Sequence, residues 1–444
     1  MMRYEEAERF LLEIPRFTKK NRMEDTKSFL HLLGDPDLSG KIIHVAGTNG
    51  KGSVCAYLAS VFEQAGYKVG LFTSPHLVTM RERFRLNGEM ISEKAFIESL
   101  ERVMHQLEDG AMANASYHPT FFEMLFFMAM LWFQSEGADI MILETGLGGR
   151  LDATNSVSRK ELCVITEIGL DHIEYLGDTI PEIAGEKAGI LQAGVPVVFA
   201  DTKKDASRVI LERAKALSCP AFPVSKGDVR KIGIHKNFID FSYDTRYYGY
   251  VGCTLNTCAH YQIENAALAV RALDVLGEKL PVSGSDLTKG LQRMHWEGRM
   301  EEILPGVYAD GAHNADGIRA FLETVKEDGC CGRRFLLFSA VQEKQYREII
   351  RQILASGQFD EICLTKLKNT RGLSSQILLE TYQEEREQLP EAEARRVQFT
   401  CAADCETGLL KLLKKKQEKD VIYIAGSLYL VGESKAYIKR KQND

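Results

Sequence analysis

The sequence predicts an α/β protein: a P-loop-containing domain on a mostly parallel sheet with added antiparallel hairpins, followed by a smaller Rossmann-like α/β domain. Three observations lead there. Short apolar runs alternate with stretches of helical spacing. A glycine-rich turn carrying a lysine and a serine follows the first of those runs. The alternation then restarts beyond about residue 300.

After a helical opening, residues 41–46 (KIIHVA) have the pattern of a short buried strand. Residues 53–65 place Val54, Leu58, Val61, Phe62 and Ala65 at helical spacing, and Gly66 supplies the stop. Residues 68–73, 139–144, 162–167 and 195–200 are further strands, and the apolar stretch 120–135 is a buried helix. Between 229 and 255 the residues alternate and are rich in β-branched and aromatic types, which predicts antiparallel hairpins. A helix at 262–276 follows. The boundary falls near 296–300, dividing residues 1–297 from 298–444. Strands at 307–310, 334–340, 361–365, 397–400 and 421–425 build the second domain. It lacks GxGxxG after its first strand, so no dinucleotide is expected there.

A length of 444 residues suits two or three domains, and 45% apolar with 27% charged residues is ordinary for a soluble globular chain. Lys and Arg number 56 against 62 Asp and Glu, so the chain does not look like a nucleic-acid binder. The lysine-rich run 411–419 is taken as a solvated helix face. Ten cysteines are scattered without a CxxC, with Cys330-Cys331 the one vicinal pair, so zinc is not expected and a reducing compartment is. The opening MMRYEEAERFLLEIP is acidic and helix-like, unlike a signal peptide. The run from Phe121 to Phe133 is broken by Glu123 and falls short of the roughly 20 residues a membrane helix needs. A cytoplasmic monomer acting on small molecules, without membrane or nucleic-acid partners, is the expectation.

The strongest single signal is Gly47-Thr48-Asn49-Gly50-Lys51-Gly52-Ser53, between a strand and a helix. Glycines let several N–H groups curl around one anion, and the helix N-terminus adds a favourable partial charge. Lys51 supplies charge for β- and γ-phosphates, and Ser53 a hydroxyl for Mg²⁺ or a phosphate oxygen. The spacing is tighter than the usual phosphate loop, with Gly52 between Lys51 and Ser53. The plain alternative is a glycine-rich turn without a ligand.

The run HVAGTNGKGSV resembles the nucleotide loop of folylpolyglutamate and dihydrofolate synthases, a branch of the Mur ligase superfamily. The resemblance continues through Thr73-Ser74-Pro75-His76-Leu77, Arg81-Glu82-Arg83 and Phe122-Glu123. It runs on through the block from Glu144 to Asn155 (ETGLGGRLDATN), Asp171-His172, and the block from Gly185 to Ile190 (GEKAGI). It ends in Gly298-Arg299-Met300-Glu301 and Asp310-Gly311-Ala312-His313-Asn314. These blocks stand in family order over most of residues 40–320. The last ~120 residues carry little motif evidence.

Taken alone, Glu144 is a carboxylate ending a buried strand: a metal or phosphate-site candidate, or else a capping or ion-pairing group. A lone His172 would more often be structural, and Lys187 would be a surface lysine paired with Glu186 or Glu182. The resemblance implies that Ser74, Glu144 and His172 hold Mg²⁺. It also implies that Lys187 is carbamylated, converting an ammonium into an anionic oxygen ligand for a second Mg²⁺. Arg299 at the domain junction would reach the γ-phosphate, or else form an interdomain salt bridge.

Asp310 would accept from ribose hydroxyls or a neighbouring group, and His313 would approach the phosphates. Ala315 stands where the family often has proline, which is expected to loosen the turn. Tyr261 replaces the histidine of the family's His-Gln-x-x-Asn-Ala-Ala helix, and Asn265 would contact the adenine edge. Ser74, Pro75, His76, Leu77, Arg83, Phe122 and Asp152 would line the acceptor-substrate side, with Glu82 beside them.

The implied activity is that of an ATP-dependent ligase adding L-glutamate to a folate, to dihydropteroate or to both, through an acyl phosphate. Lys51, His172, Lys187 and Arg299 are the expected catalytic groups. Three rivals stand beside it. A Mur ligase on a UDP-linked precursor would need a separate UDP domain, for which the loop at Gly47 leaves no room. A P-loop kinase leaves the Glu144, Lys187 and Arg299 blocks unexplained. A non-enzymatic regulator would bind ATP without turnover.

Overall fold

A computed structural model describes residues 2–14, 21–109, 112, 117–342, 345–368, 371–389 and 397–443. Its first strands are β1 (Lys41–Ala46), β2 (Val69–Phe72), β3 (Phe84–Leu86), β4 (Glu89–Met90), β5 (Ile140–Glu144), β6 (Leu162–Ile165), β7 (Val197–Ala200) and β8 (Ala221–Val224). They form one sheet in the order β4-β3-β2-β5-β1-β6-β7-β8. From β2 to β8 every pairing is parallel, and β3 and β4 add an antiparallel edge. The central strands are almost wholly buried and mostly apolar because helices cover both faces, with His44 in β1 and Glu144 at the end of β5 as the buried exceptions. On one face the helices Lys51–Gln64 and Gln262–Leu276 bury Val54, Leu58, Val61, Leu268 and Leu273. On the other lies the helix Phe121–Glu136, opened by a capping box between Thr120 and Glu123. Its aromatic residues pack with Phe29, Phe72 and Phe84.

The predicted hairpins form a sheet of their own: β9 (Val229–Ile234), β10 (Ile239–Asp244) and β11 (Tyr250–Leu255), all antiparallel. Ile239, Phe241 and Tyr243 insert into the core shared with the helix Gln262–Leu276, which makes this sheet part of the first core.

The third sheet contains β12 (Glu301–Leu304), β13 (Val307–Ala309), β14 (Arg334–Phe338), β15 (Glu361–Thr365), β16 (Gln398–Ala402) and β17 (Val421–Ala425). Its order is β12-β13-β17-β14-β15-β16, with only β12 antiparallel to its neighbour. β12 has no counterpart in the sequence reading, because EEIL carries two charges and no strand is completely covered there.

Two expectations shift. The helix after the glycine loop starts at Lys51 rather than Ser53, since Gly50 at φ +84° is its N-cap. The run 411–419 is not one solvated helix face: the helix Cys405–Lys415 ends inside it, and Lys415 pairs with the buried Glu361 at 2.8 Å.

Candidate active site

β1 lies between β5 and β6, so the chain leaves neighbouring strands toward opposite faces at their carboxyl ends. That crevice is where open parallel sheets place ligands. The glycine loop follows β1, Glu144 ends β5, and Asp171-His172 come after β6. The loops of the third sheet close over the same place, leaving a cavity of about 810 Å³ walled by both halves of the chain.

The loop is pinned to the end of β6. The Thr48 N–H donates to the Glu167 carbonyl at 2.8 Å, and the Thr166 hydroxyl donates to the Asn49 carbonyl at 2.6 Å. Gly50 is required twice over: its φ is positive, and a Cβ there would sit 2.2 Å from Asn265 Oδ1. Lys51 folds its ammonium back onto the carbonyls of Gly47 and Thr48, at 3.1 and 3.2 Å. Ser53 is buried and accepts from Gln262 Nε2 at 3.2 Å. The loop residues 47–53 all face the cavity with the helix N-terminus behind them, the arrangement that binds phosphate groups.

Glu144 is buried, and one of its oxygens accepts the Ser74 N–H at 2.9 Å. Burial pushes its carboxyl up, opposed by the charges of Lys51, Arg299 and Arg83. His172 sits in the left-handed region at φ +51° and caps the short helix Ile173–Leu176, with its ring on the cavity wall. Lys187 is not a surface lysine. It is buried in the helix Ile180–Ala188 and donates from Nζ to the Gly47 carbonyl at 2.7 Å, while Glu186 pairs instead with Arg150 at 2.8 Å. No three His, Cys, Asp or Glu side chains cluster as a metal site among the described residues. Ser74, Glu144 and His172 nevertheless share the cavity wall. One buried carboxylate with a hydroxyl and an imidazole fits a cation that keeps several waters, as Mg²⁺ does.

From the second half, Arg299 faces the cavity and donates from Nη1 to the Gly298 carbonyl at 2.9 Å. Asp310 is buried and accepts from the Tyr261 hydroxyl, the Met300 N–H at 3.0 Å and the Ala312 N–H at 2.8 Å. Of the two roles expected for Asp310, this is the one toward neighbouring groups. It also accounts for Tyr261, whose phenol reaches that carboxylate. His313 Nδ1 bonds the Gly311 carbonyl at 2.7 Å, and its Nε2 lies 3.6 Å from Asp171 Oδ2. The turn that Ala315 was expected to loosen is held by Asn314, which caps the helix Ala315–Lys326. Asn265 donates to Gln262 Oε1 at 3.0 Å and braces the loop at Gly50.

The expected substrate side divides. Ser74, Pro75, Arg83, Phe122 and Asp152 line the cavity. His76, Leu77 and Glu82 do not. His76 accepts from Arg83 Nε at 2.9 Å and so orients the guanidinium, which lies 5.6 Å over the Phe121 ring. Leu77 packs into the apolar contact with the third sheet's core, beside Val431. Glu82 spends its carboxylate on the N–H groups of Leu77, Val78 and Thr79.

The sequence reading passed over Arg371 and Tyr429, bonded to each other at 2.6 Å on the cavity wall. It also passed over Asn21, which donates to Glu123 at 2.8 Å. For Glu123 there was a signal: a carboxylate interrupting an otherwise apolar helix. Arg371 stands in no motif.

The Mur ligase middle domain matches residues 45–273, and the Mur ligase glutamate ligase domain matches residues 293–428. The dihydrofolate synthase/folylpolyglutamate synthase of Bacillus subtilis (strain 168) is 32% identical over 98% of this chain and 99% of its own length. The chain belongs to the folylpolyglutamate and dihydrofolate synthase family of Mur ligases. As a member it is an ATP-dependent, amide-forming ligase. The dihydrofolate synthetase of Saccharomyces cerevisiae is 32% identical over 92% of the chain and 95% of its own. Among solved structures, E. coli FolC in complex with DHPP and ADP superposes with a TM-score of 0.85 at 25% identity, covering 99% of both chains. The apo form of L. casei FPGS gives 0.83 at 27% identity, covering 100% of both.

Proposed function

We propose that this ligase joins L-glutamate to a folate, and to dihydropteroate as well, with ATP converted to ADP and phosphate. The observation that carries the reading is one cavity shared by the glycine loop, Glu144 and Lys187 of the first sheet with Arg299 and His313 of the third. The folate carboxylate attacks the γ-phosphorus, the bond to the ADP oxygen breaks, and an acyl phosphate forms. The glutamate amine then attacks the acyl carbon, phosphate leaves, and the amine loses its extra proton. Residues 47–53 cradle the phosphates, and Lys51 and Arg299 neutralise charge that moves toward the acceptor. Ser74, Glu144 and His172 would hold one Mg²⁺, and Lys187, once carbamylated, would offer oxygens to a second; the metal would supply charge neutralisation and a template for the transferring group. Arg83, Phe122 and Asp152 form the folate side, where Phe122 offers an aromatic wall. Closure of the two halves excludes water, which would otherwise hydrolyse the acyl phosphate.

We take residues 1–297 and 298–444 as the two domains, since the third sheet begins at Glu301. A monomeric, cytoplasmic enzyme is part of the same reading. Ten free cysteines fit the reducing compartment in that reading, and among the described residues no helix is long and apolar enough to cross a membrane.

The test is a product assay by mass: protein, ATP and glutamate with dihydropteroate or tetrahydrofolate. ADP release that needs both folate and glutamate, with product heavier by one glutamyl unit, is expected. ATP hydrolysis without that product, or binding without turnover, overturns the reading.

A further inference from the structure

Behind the cavity wall, two buried polar residues that the reaction above does not use, His44 and Thr154, connect to Asp152 on the wall. His44, in β1, is fully buried, and its Nε2 is 2.7 Å from Thr154 Oγ1. Thr154 Oγ1 is in turn 2.5 Å from Asp152 Oδ1, which also takes the Thr154 N–H at 3.1 Å. Asp152 Oδ2 takes the N–H groups of Gly146 and Leu147, at 2.9 and 3.0 Å.

Counting protons fixes the direction of each bond. A carboxylate has none to give, so the Thr154 hydroxyl donates to Asp152. Its single proton is then used, and it accepts from His44, whose proton must sit on Nε2. The other ring nitrogen, Nδ1, is buried and has no hydrogen-bond partner among the described residues, as the bare nitrogen of that tautomer would be. Burial, with the Lys160 charge adding to it, holds the imidazole well below its usual protonation range, so the ring is neutral.

We propose that His44 is a positioning residue for the acceptor substrate, acting through Thr154 on Asp152 and on the Gly146–Leu147 turn that Asp152 holds. Gly146, Leu147 and Asp152 line the cavity, whereas His44 and Thr154 stand behind it. The proposal rests on the reading that this wall is the folate side. Each link restricts the next: the imidazole favours one Thr154 rotamer, and Thr154 favours the Asp152 orientation in which these four donors are met together. The turn is thereby fixed before substrate arrives, so it need not be ordered on binding.

Three variants and one spectrum test this. His44→Leu removes the donor at similar volume, Thr154→Val removes the relay, and His44→Gln keeps an N–H at the Nε2 position. His44→Leu and Thr154→Val are each expected to raise the KM for the folate acceptor about tenfold, and the double variant no further. The KM for ATP stays unchanged, and His44→Gln stays close to the unsubstituted enzyme. Imidazole ¹⁵N shifts should show a protonated Nε2 and a bare Nδ1 across about pH 6 to 8. Equal damage from His44→Leu and His44→Gln, a parallel rise in the KM for ATP, or a protonated Nδ1 overturns the relay. If His44→Leu does not fold, Thr154→Val carries the same readouts. An unsubstituted protein that turns over no folate sinks the reading of the site. One that does, with Thr154→Val and any folded His44→Leu matching it in acceptor KM, sinks the relay alone.

Discussion

Lys187 and Gly47 are 140 positions apart, yet the lysine nitrogen donates to the glycine carbonyl at 2.7 Å, inside a helix where the residue is only 4% exposed. A carbamate on that nitrogen would keep one N–H for this bond and add two anionic oxygens directed onward.

The two forms make opposite predictions. Lys187→Ala should lose activity on the order of 10²–10³-fold, the scale of removing one preorganised electrostatic group. If the side chain is a carbamate, a short carboxylic acid entering the vacated space restores part of the rate, because it returns an oxygen ligand. Rescue by a small amine alone, in the same assay, assigns a plain ammonium.

Lys51→Ala should abolish ligation and leave the melting temperature nearly unchanged. Its ammonium lies against two backbone carbonyls at the cavity edge and fills no core volume. Nucleotide affinity by calorimetry, with turnover alongside, checks this; normal values for both would remove Lys51 from the phosphate site.

Glu144→Gln separates function from stability. Burial raises the carboxyl's folded value above its unfolded one, so the charged form is the disfavoured one in the fold. The penalty is absent below the unfolded value, grows as pH rises through the folded value, and is fully present above it. Without Mg²⁺ at pH 8 the variant should therefore melt higher than the unsubstituted protein. The difference closes as pH falls into the ordinary carboxylate range. Activity should drop by orders of magnitude and not recover with added ATP. Calorimetric melting across pH, with and without Mg²⁺ and ADP, reads both effects.

What could be read from the sequence follows from where each signal resides. β1, β5 and β6 announce themselves because strands covered on both faces are dominated by apolar residues, even with His44 inside β1 and Glu144 ending β5. β8 (AFPV) does not, with Pro223 and three of its four residues incompletely covered at the sheet edge. β3 and β4 are three and two residues long, too short for a pattern. On the site, the glycine loop was legible because its residues are contiguous and their spacing carries the geometry. Leu77 and His76 share a motif with Ser74, yet the chain turns so that one meets the second core and the other backs Arg83. Arg371 and Tyr429 come together only through the packing of the third sheet's loops.

The two halves of the chain also meet through a pair of asparagines. Asn49, in the glycine loop, and Asn314, after β13, exchange amide hydrogen bonds at 2.9 and 3.3 Å, and Asn314 Nδ2 also reaches Asp171 Oδ2 at 3.3 Å. Asn314 has a second, separate duty, since its Oδ1 caps the helix Ala315–Lys326 through the Gly317 N–H at 2.8 Å. Substitution by alanine removes both, and the cap alone is worth about 1 kcal/mol. Serine keeps the cap, since its hydroxyl accepts from the same N–H, but it is too short to reach Asn49. Asn314→Ser should therefore hold its melting temperature better than alanine does, while kcat/KM for ATP falls about tenfold or more, since the two bonds with Asn49 and the one to the Asp171 carboxylate are lost. Asn314→Ala should show the same kinetic loss and a lower melting temperature as well. If serine restores both activity and stability, the asparagine is a helix cap and nothing more, and the alignment of the glycine loop with the second half must depend on other contacts, such as Lys203 with Asp316 at 2.6 Å.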